Sequence, residues 1–566
     1  MAGVILTPIT LWKDFKIDVI PKASDFNSRE EGELSFNEFY LGGRSVAGET
    51  VRIYCREIKK SALKKSPAVL LLRDFDEKDD DGLAVDLAMR GYAVCQVDLA
   101  GAREDKEKYT DYPVRISHAN YQNAKDNLSV VKGEVRQTCW YEWCAVVRYV
   151  LAYLKGREDV TAVGGLGIGK AATVLWMAAG SDENLDCSAF ALNAGWSGYR
   201  GIYKFGGMVE PQFSDNMYKF IAGIDPQSYA IHVKSPTLVL SALNSNEYDC
   251  DRASDTISRI DKSIFTAVNY SVHSREKIDK NGYADLVAFY DRYLAKKTAE
   301  KNQLVDEIEV KCDVVDQKIK VDVNLTEKNL KNVNVYVAEE ITCPALRCWN
   351  KISEGVKKNA GEYEFTYCPN ANAEIVCVFA RAEYKNGFTI DSNVISKKFT
   401  KEQIDDSCAL NNLIYSSRTD GMESIFCTYS EKDESNQVID FNGDREIEVK
   451  KGPMQMEGVC SKGGLLTFKT ASKWQRPKDD AMLMFDYYSK EESVLTVKMI
   501  ADYLGEKTEY LCEIKCRGGD VWHNVKLERN RFKTAEGRNL KSYEKIDAMA
   551  FESDKEEWLI NNALWV

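Results

Sequence analysis

The chain has 566 residues, 44% of them hydrophobic and 29% charged, with a formal net charge of -12. That length exceeds what one hydrophobic core holds, so two to four domains are expected. The acidic balance excludes a nucleic-acid backbone as partner, because phosphate binding needs clustered Lys and Arg. Met1 to Pro8 lacks a basic n-region, and no apolar run is long enough to span a bilayer, so neither a secretory signal nor a membrane span is expected. Cys95, Cys187 and Cys377 sit inside apolar strand-like runs and read as reduced core residues of a cytoplasmic protein. With no Cys-x-x-Cys pair and only four histidines, neither a metal site nor a cofactor is expected.

Residues 34–40 and 51–56 alternate with the two-residue period of a half-exposed sheet edge. Ala68-Val69-Leu70-Leu71-Leu72 is a continuous apolar run, as in a strand buried on both faces. A helix over 82–90 with Gly91 as its C-cap leads to a strand over 92–98, which makes a βαβ unit in a parallel sheet. After an irregular segment, Trp140-Tyr141-Glu142-Trp143 opens an amphipathic helix through Leu154. Val160 to Thr173 then reads as strand, glycine-dense turn and helix. Strands are expected at 188–193, 236–241 and 264–268, with a closing helix over 284–294. Residues 1–300 form one α/β domain on this reading.

Beyond Lys301 the period switches to two. Strands near 308–312, 319–323, 333–337, 363–367 and 375–380 predict a small β-sandwich over 303–400. A polar linker is expected at 401–422, and a larger β-sandwich at 423–566.

The glycine turn, Gly164-Gly165-Leu166-Gly167-Ile168-Gly169-Lys170-Ala171-Ala172, overlaps three motifs. As a phosphate loop it fits G-x4-G-K, but Ala171 removes the hydroxyl that holds magnesium. As a dinucleotide loop it fits Gly167-x-Gly169-x-x-Ala172, but the next strand ends at Leu192-Asn193 without a ribose-binding acid. As a nucleophile elbow, G-x-S-x-G, it reads Gly165-Leu166-Gly167-Ile168-Gly169, with glycine at the nucleophile position. Chain order favours the elbow. The turn follows at least two sheet strands, acids follow a later strand (Glu247, Asp249, Asp251), and His273 comes last. On this reading Gly167 is the degenerate nucleophile position, Ile168 supplies the oxyanion amide and His273 is the remnant base. Ser197 is the alternative nucleophile.

These residues, with Gly91-Tyr92-Ala93-Val94, Val97-Asp98-Leu99-Ala100-Gly101 and Trp140-Tyr141-Glu142-Trp143, make residues 66–295 resemble an α/β-hydrolase, nearest to bacterial acetyl-xylan-esterase-like and peptidase-like members. The resemblance implies an ester-hydrolase site at the C-terminal ends of the strands. Two departures point to a catalytically inactive protein that binds or scaffolds, with carbohydrate or an acylated ligand as what it binds. Gly167 has no oxygen or sulfur to attack a carbonyl. The loop after Leu72, Arg73 to Asp81, is rich in carboxylates where a developing oxyanion needs donors. An ester hydrolase with a rearranged nucleophile and His273 as base is the alternative.

The C-terminal region resembles galactose-binding-like jelly rolls found as carbohydrate-binding modules, on Trp522, Val525, Leu527, Phe532, Leu540 to Ile546 and the terminal Ile560 to Val566. That resemblance implies Trp474, Tyr487 and Tyr488 as residues for stacking on a sugar, with carbohydrate or protein as partner. Residues 303–400 resemble an immunoglobulin-like spacer.

Overall fold

The computed structural model describes residues 5–566 apart from 76–79, 105, 125–127, 196–212, 246, 275, 298–307, 340–342, 370–372, 404–411, 419–424, 428–437, 442–446 and 472–475. Its N-terminal half is organised on one sheet. Strands β1 (Ala23–Glu31), β2 (Leu34–Val46) and β3 (Glu49–Lys60) form an antiparallel meander. Strands β4 (Ser66–Leu72), β5 (Ala93–Val97), β6 (Val160–Ile168), β7 (Cys187–Ala191), β8 (Thr237–Ala242) and β9 (Thr266–Ser271) run parallel. Their spatial order is β1-β2-β3-β5-β4-β6-β7-β8-β9. This is the mixed sheet of the α/β-hydrolase fold. The alternating segments at 34–40 and 51–56 belong to one long hairpin, and β1, an extra edge strand, was not anticipated from sequence.

The run 68–72 is buried on both faces because helices cover both. Ala68, Leu70 and Leu72 join a core with α2 (Cys139–Lys155) and α3 (Lys170–Ala179), whereas Val69 and Leu71 join one with α1 (Gly82–Met89) and the closing α5 (Lys280–Tyr293). Helix α4 (Cys250–Ile257) follows β8. Local chemistry sets the helix ends. The Thr138 hydroxyl accepts from the Tyr141 N–H at 3.4 Å to begin α2, and Gly91, at φ 102°, ends the turn after α1.

The second region is a two-sheet sandwich. Strands β10 (Glu309–Val315), β11 (Lys318–Asn324), β14 (Val356–Asn359) and β15 (Glu362–Tyr367) form one sheet. In the other, β12 (Leu330–Glu339), β13 (Trp349–Ile352), β16 (Ile375–Tyr384), β17 (Thr389–Asp391) and β18 (Ile395–Lys398) continue the hydrolase sheet, because β17 pairs with β9 at Asp391 and Val268. The expected spacer is therefore built into a single 14-stranded sheet.

Buried polar bonds weld this joint. Asp391 accepts from Arg381 through both oxygens and from the Tyr270 N–H at 2.7 Å. Asp285 accepts from Asn269 at 2.7 Å and from the Thr389 N–H at 2.9 Å. Buried carboxylates persist only when paired in this way.

The C-terminal region is a second β-sandwich of two antiparallel sheets. One orders Glu448–Lys451, Glu457–Cys460, Trp558–Trp565, Met482–Ser489 and His523–Glu528, with Leu413–Tyr415 also on the Trp558–Trp565 strand. The other orders Ile425–Cys427, Leu465–Thr467, Ile546–Ser553, Ser493–Ala501 and Thr508–Cys516. The terminal strand pairs on both sides, as an apolar C-terminus requires. Among the described residues no helix is long and apolar enough to cross a membrane.

Candidate active site

Strands β4, β6, β8 and β9 are parallel, so the segments that follow them emerge at one edge of the sheet. Asp74, Gly169, the 243–249 loop and His273 therefore share that edge, where ligands of open α/β sheets bind.

The glycine turn differs from its sequence reading by two residues. Gly167 lies within β6, in register with Leu72 on one side and Phe190 on the other. A Cβ there would stand 2.7 Å from the Ala172 Cα, so the position takes glycine for close strand–helix packing. The apex is Gly169, at φ 54° and ψ -131°, immediately before α3. This left-handed backbone is the strained conformation that presents a side chain between strand and helix. The glycine at the apex of the strand–helix turn is accordingly Gly169 and not Gly167, within Gly167-Ile168-Gly169-Lys170-Ala171, whose last place is alanine where G-x-S-x-G has glycine. Ile168 is the last residue of β6, and the first helical amide beyond the apex belongs to Lys170.

That amide is occupied. The Lys170 N–H donates to Asp74 Oδ2 at 3.1 Å, while the Phe75 N–H donates to Asp74 Oδ1 at 2.7 Å. Lys170 Nζ lies 3.9 Å from Asp74 Oδ1. A carboxylate thus sits at the N-terminus of α3, where backbone N–H groups and the helix dipole favour negative charge. It also fills the space above the apex. A Cβ on Gly169 would come within 1.9 Å of Asp74 Oδ2. Within the carboxylate-rich Arg73–Asp81 loop, Asp74 is the residue that reaches the Lys170 amide.

The three expected acids separate. Asp251 is fully buried and binds Arg347 of the second region with both oxygens, each contact 2.6 Å. Asp249 caps α4, accepting from the Arg252 N–H at 2.8 Å. Both oxygens of Asp251 are thus engaged by Arg347, which arrives from about a hundred residues downstream, and one oxygen of Asp249 by the helix it begins. Glu247 stays with the site through its neighbour. Burial first, and then the charges of Asp74, Glu247 and Glu276, push the buried Tyr248 hydroxyl well above its ordinary value. Glu276 also accepts from Ser245 Oγ at 3.0 Å. Tyr248, Ser245 and Glu276 were absent from the sequence reading. Only proximity to the elbow reveals them. His273 is half-buried in the loop after β9.

Downstream segments attach to the same edge. Asn244 Nδ2 donates to the carbonyls of Pro344, Ala345 and Arg347, at 3.2, 3.3 and 2.8 Å. Ile278 exchanges two backbone bonds with Val438 and Asp440, each 2.8 Å. Beside Asp74 a cleft of about 320 Å³ remains, lined by Tyr54, Arg56, Asp81, Gln96, Asp98 and Lys106 among others. Part of its charge is paired: Arg56 with Asp81, Lys106 with Asp98 and Lys108 with Glu38. Among the described residues no group of His, Cys, Asp and Glu side chains is arranged to hold a metal ion.

In the C-terminal sandwich, Tyr487 is a core residue. It is fully buried, and its hydroxyl bonds Ser493 and Ser553 at 2.9 and 3.0 Å. It cannot stack on a sugar, because the two-residue period turns it inward while Tyr488 faces out. Tyr488 lies 5.7 Å from Trp522, ring centre to ring centre. Trp474 and Ser197 lie outside the described residues.

No protein-family model and no curated protein matches the sequence. Solved structures that resemble the chain include acetyl xylan esterase 1 from Thermoanaerobacterium sp., at 13% identity and a TM-score of 0.40, over 53% of this chain and 96% of that one. An acetyl xylan esterase from Paenibacillus sp. R4 has 13% identity and a TM-score of 0.37, over 51% and 92%. A cold-adapted esterase from an Arctic intertidal metagenomic library has 14% identity and a TM-score of 0.31, over 48% and 99%.

Proposed function

We propose that this chain is a non-catalytic protein of the α/β-hydrolase fold, acting by binding rather than by ester turnover. The observation that carries this reading is the Asp74 carboxylate on the Lys170 amide, above an elbow apex that is glycine. Acyl transfer needs a nucleophile at the apex and hydrogen-bond donors free for the oxyanion. Here the apex offers no nucleophilic atom, and one donor already holds an anion. Rearranging His273 or Glu247 supplies neither missing part.

Carbohydrate is the partner class we assign, through the outer face of the six-stranded sheet. Tyr488 and Trp522 lie there, both partly buried, with the Trp522 ring packed on Gly452 and Gly458. Asp486, bonded by Asn524 at 3.0 Å and Asn562 at 2.7 Å, offers polar groups beside them.

The test is incubation of the full chain with p-nitrophenyl acetate and with a fluorophosphonate probe. Neither turnover above the uncatalysed rate nor labelling is expected. Serine labelling, or turnover abolished by His273→Ala, overturns the reading in favour of an ester hydrolase with a rearranged nucleophile.

A further inference from the structure

A second cleft, of about 630 Å³, lies where the hydrolase sheet meets the second region, at the opposite end of β9 from the elbow. It exists because the sheet splays. Strands β9 and β17 share one rung, Val268 with Asp391, and the preceding residues Thr266 and Ala267 line the gap. Ile257, Ile260, Ile264, Phe265 and Ile390 supply apolar wall, and Tyr293 stands beside Phe265 with ring centres 5.4 Å apart. Junctions between domains are common sites for small ligands, and this one sets that apolar wall beside polar and charged residues such as Ser258, Lys262, Arg292 and Asn393.

The charges around the cleft are not balanced. Arg292 and Lys262 line it, and neither has an ion pair or side-chain hydrogen bond among the described residues. Of its two acids, Asp391 is neutralised by Arg381, whereas Asp261 keeps its charge next to Lys262. Asp261 accepts from the Ser263 N–H and Oγ at 2.8 and 2.7 Å, and Asp391 is held by Arg381 and the Tyr270 N–H. Arg292 and Lys262 thus outweigh Asp261, and an apolar wall next to that excess positive charge is complementary to an amphipathic anion. Arg292 in particular presents a guanidinium fork that matches a carboxylate.

We propose that this cleft is a binding site for a small amphipathic carboxylic acid, aromatic or medium-chain. The carboxylate meets Arg292 and Lys262, and the apolar body lies against Phe265, Tyr293 and Ile264. The site is independent of the elbow and does not rest on the absence of catalysis there.

The probe is 4-phenylbutyrate, titrated into the full chain by calorimetry beside 4-phenylbutan-1-ol, which keeps the apolar body and lacks the charge. Saturable binding of the acid is expected, with the alcohol at least about tenfold weaker, in line with a charge-assisted hydrogen bond. Arg292→Ala should weaken the acid about tenfold and leave the alcohol unchanged. Ser258→Trp, a substitution at an exposed residue lining the cleft, should block both. No saturable binding, equal affinity for acid and alcohol, or full binding in the Ser258→Trp variant would each overturn the proposal. The acid–alcohol comparison needs no variant, so it stands even if one fails to fold.

Discussion

Gly169 and Asp74 are a matched pair, and their coupling is the most direct consequence of the elbow geometry. A side chain at 169 meets both a left-handed backbone and the Asp74 carboxylate. Gly169→Ser alone should destabilise by about 1–3 kcal/mol and remain unlabelled by a fluorophosphonate. Removing the obstacle in Asp74→Gly/Gly169→Ser should recover part of that loss, giving a coupling of about 0.5–3 kcal/mol in urea denaturation. Strict additivity would contradict the contact.

Glu38 supplies a pH signature at the same scale. Burial alone would raise its carboxyl, but bonds from Lys108, Asn27 and Tyr54 outweigh burial and hold it at about 2, below the ordinary 4.5. A group depressed on folding stabilises above its unfolded value and loses that contribution as pH falls toward the folded one. The melting temperature should therefore fall more steeply between pH 4.5 and 2 in the wild type than in Glu38→Gln. Identical pH profiles would rule out this role for Glu38.

At the level of elements, the loop after β8 shows what residue spacing leaves open. Glu247, Asp249 and Asp251 are equally plausible acids in a linear reading, because each follows the right strand. Asp249 is taken by the helix it begins, a local effect visible in its position before Cys250. Asp251 is taken by Arg347, a partner no local pattern could nominate. Arg347→Ala should cost about 3–5 kcal/mol, since it leaves Asp251 buried and unpaired. Chemical denaturation of the full chain measures it, and a loss below about 1 kcal/mol would mean that water reaches the carboxylate. The elbow teaches a similar lesson. Gly165 and Gly169 are the outer glycines of G-x-S-x-G in one frame only, and the turn the backbone makes is shifted by two residues and ends on Ala171, so only the backbone angles separate the glycine that packs a helix from the one that turns the chain.

For the molecule as a whole, the shared sheet and shared cores make the hydrolase region and the first sandwich one mechanical unit. The core on the α1–α5 face runs from Val69 and Leu71 through Leu286 to Val335 and Val378. The other face joins Tyr270 to Tyr336, Trp349 and Phe379. Hydrogen exchange of peptides spanning 266–271 and 375–384 should therefore report one opening free energy. Separate values, more than about 2 kcal/mol apart, would show two independent domains. Sequence by itself determined the α/β class, the order of the parallel strands along the chain and the sandwiches that follow. Apolar runs and two-residue alternation record local burial, and burial is what those elements exist to achieve. Only the tertiary structure decided the elbow's apex, which acids remain near it, that Asp74 occupies its amide and that the sandwich extends the sheet. Those outcomes depend on backbone angles and on partners far apart in the chain, and a linear pattern encodes neither.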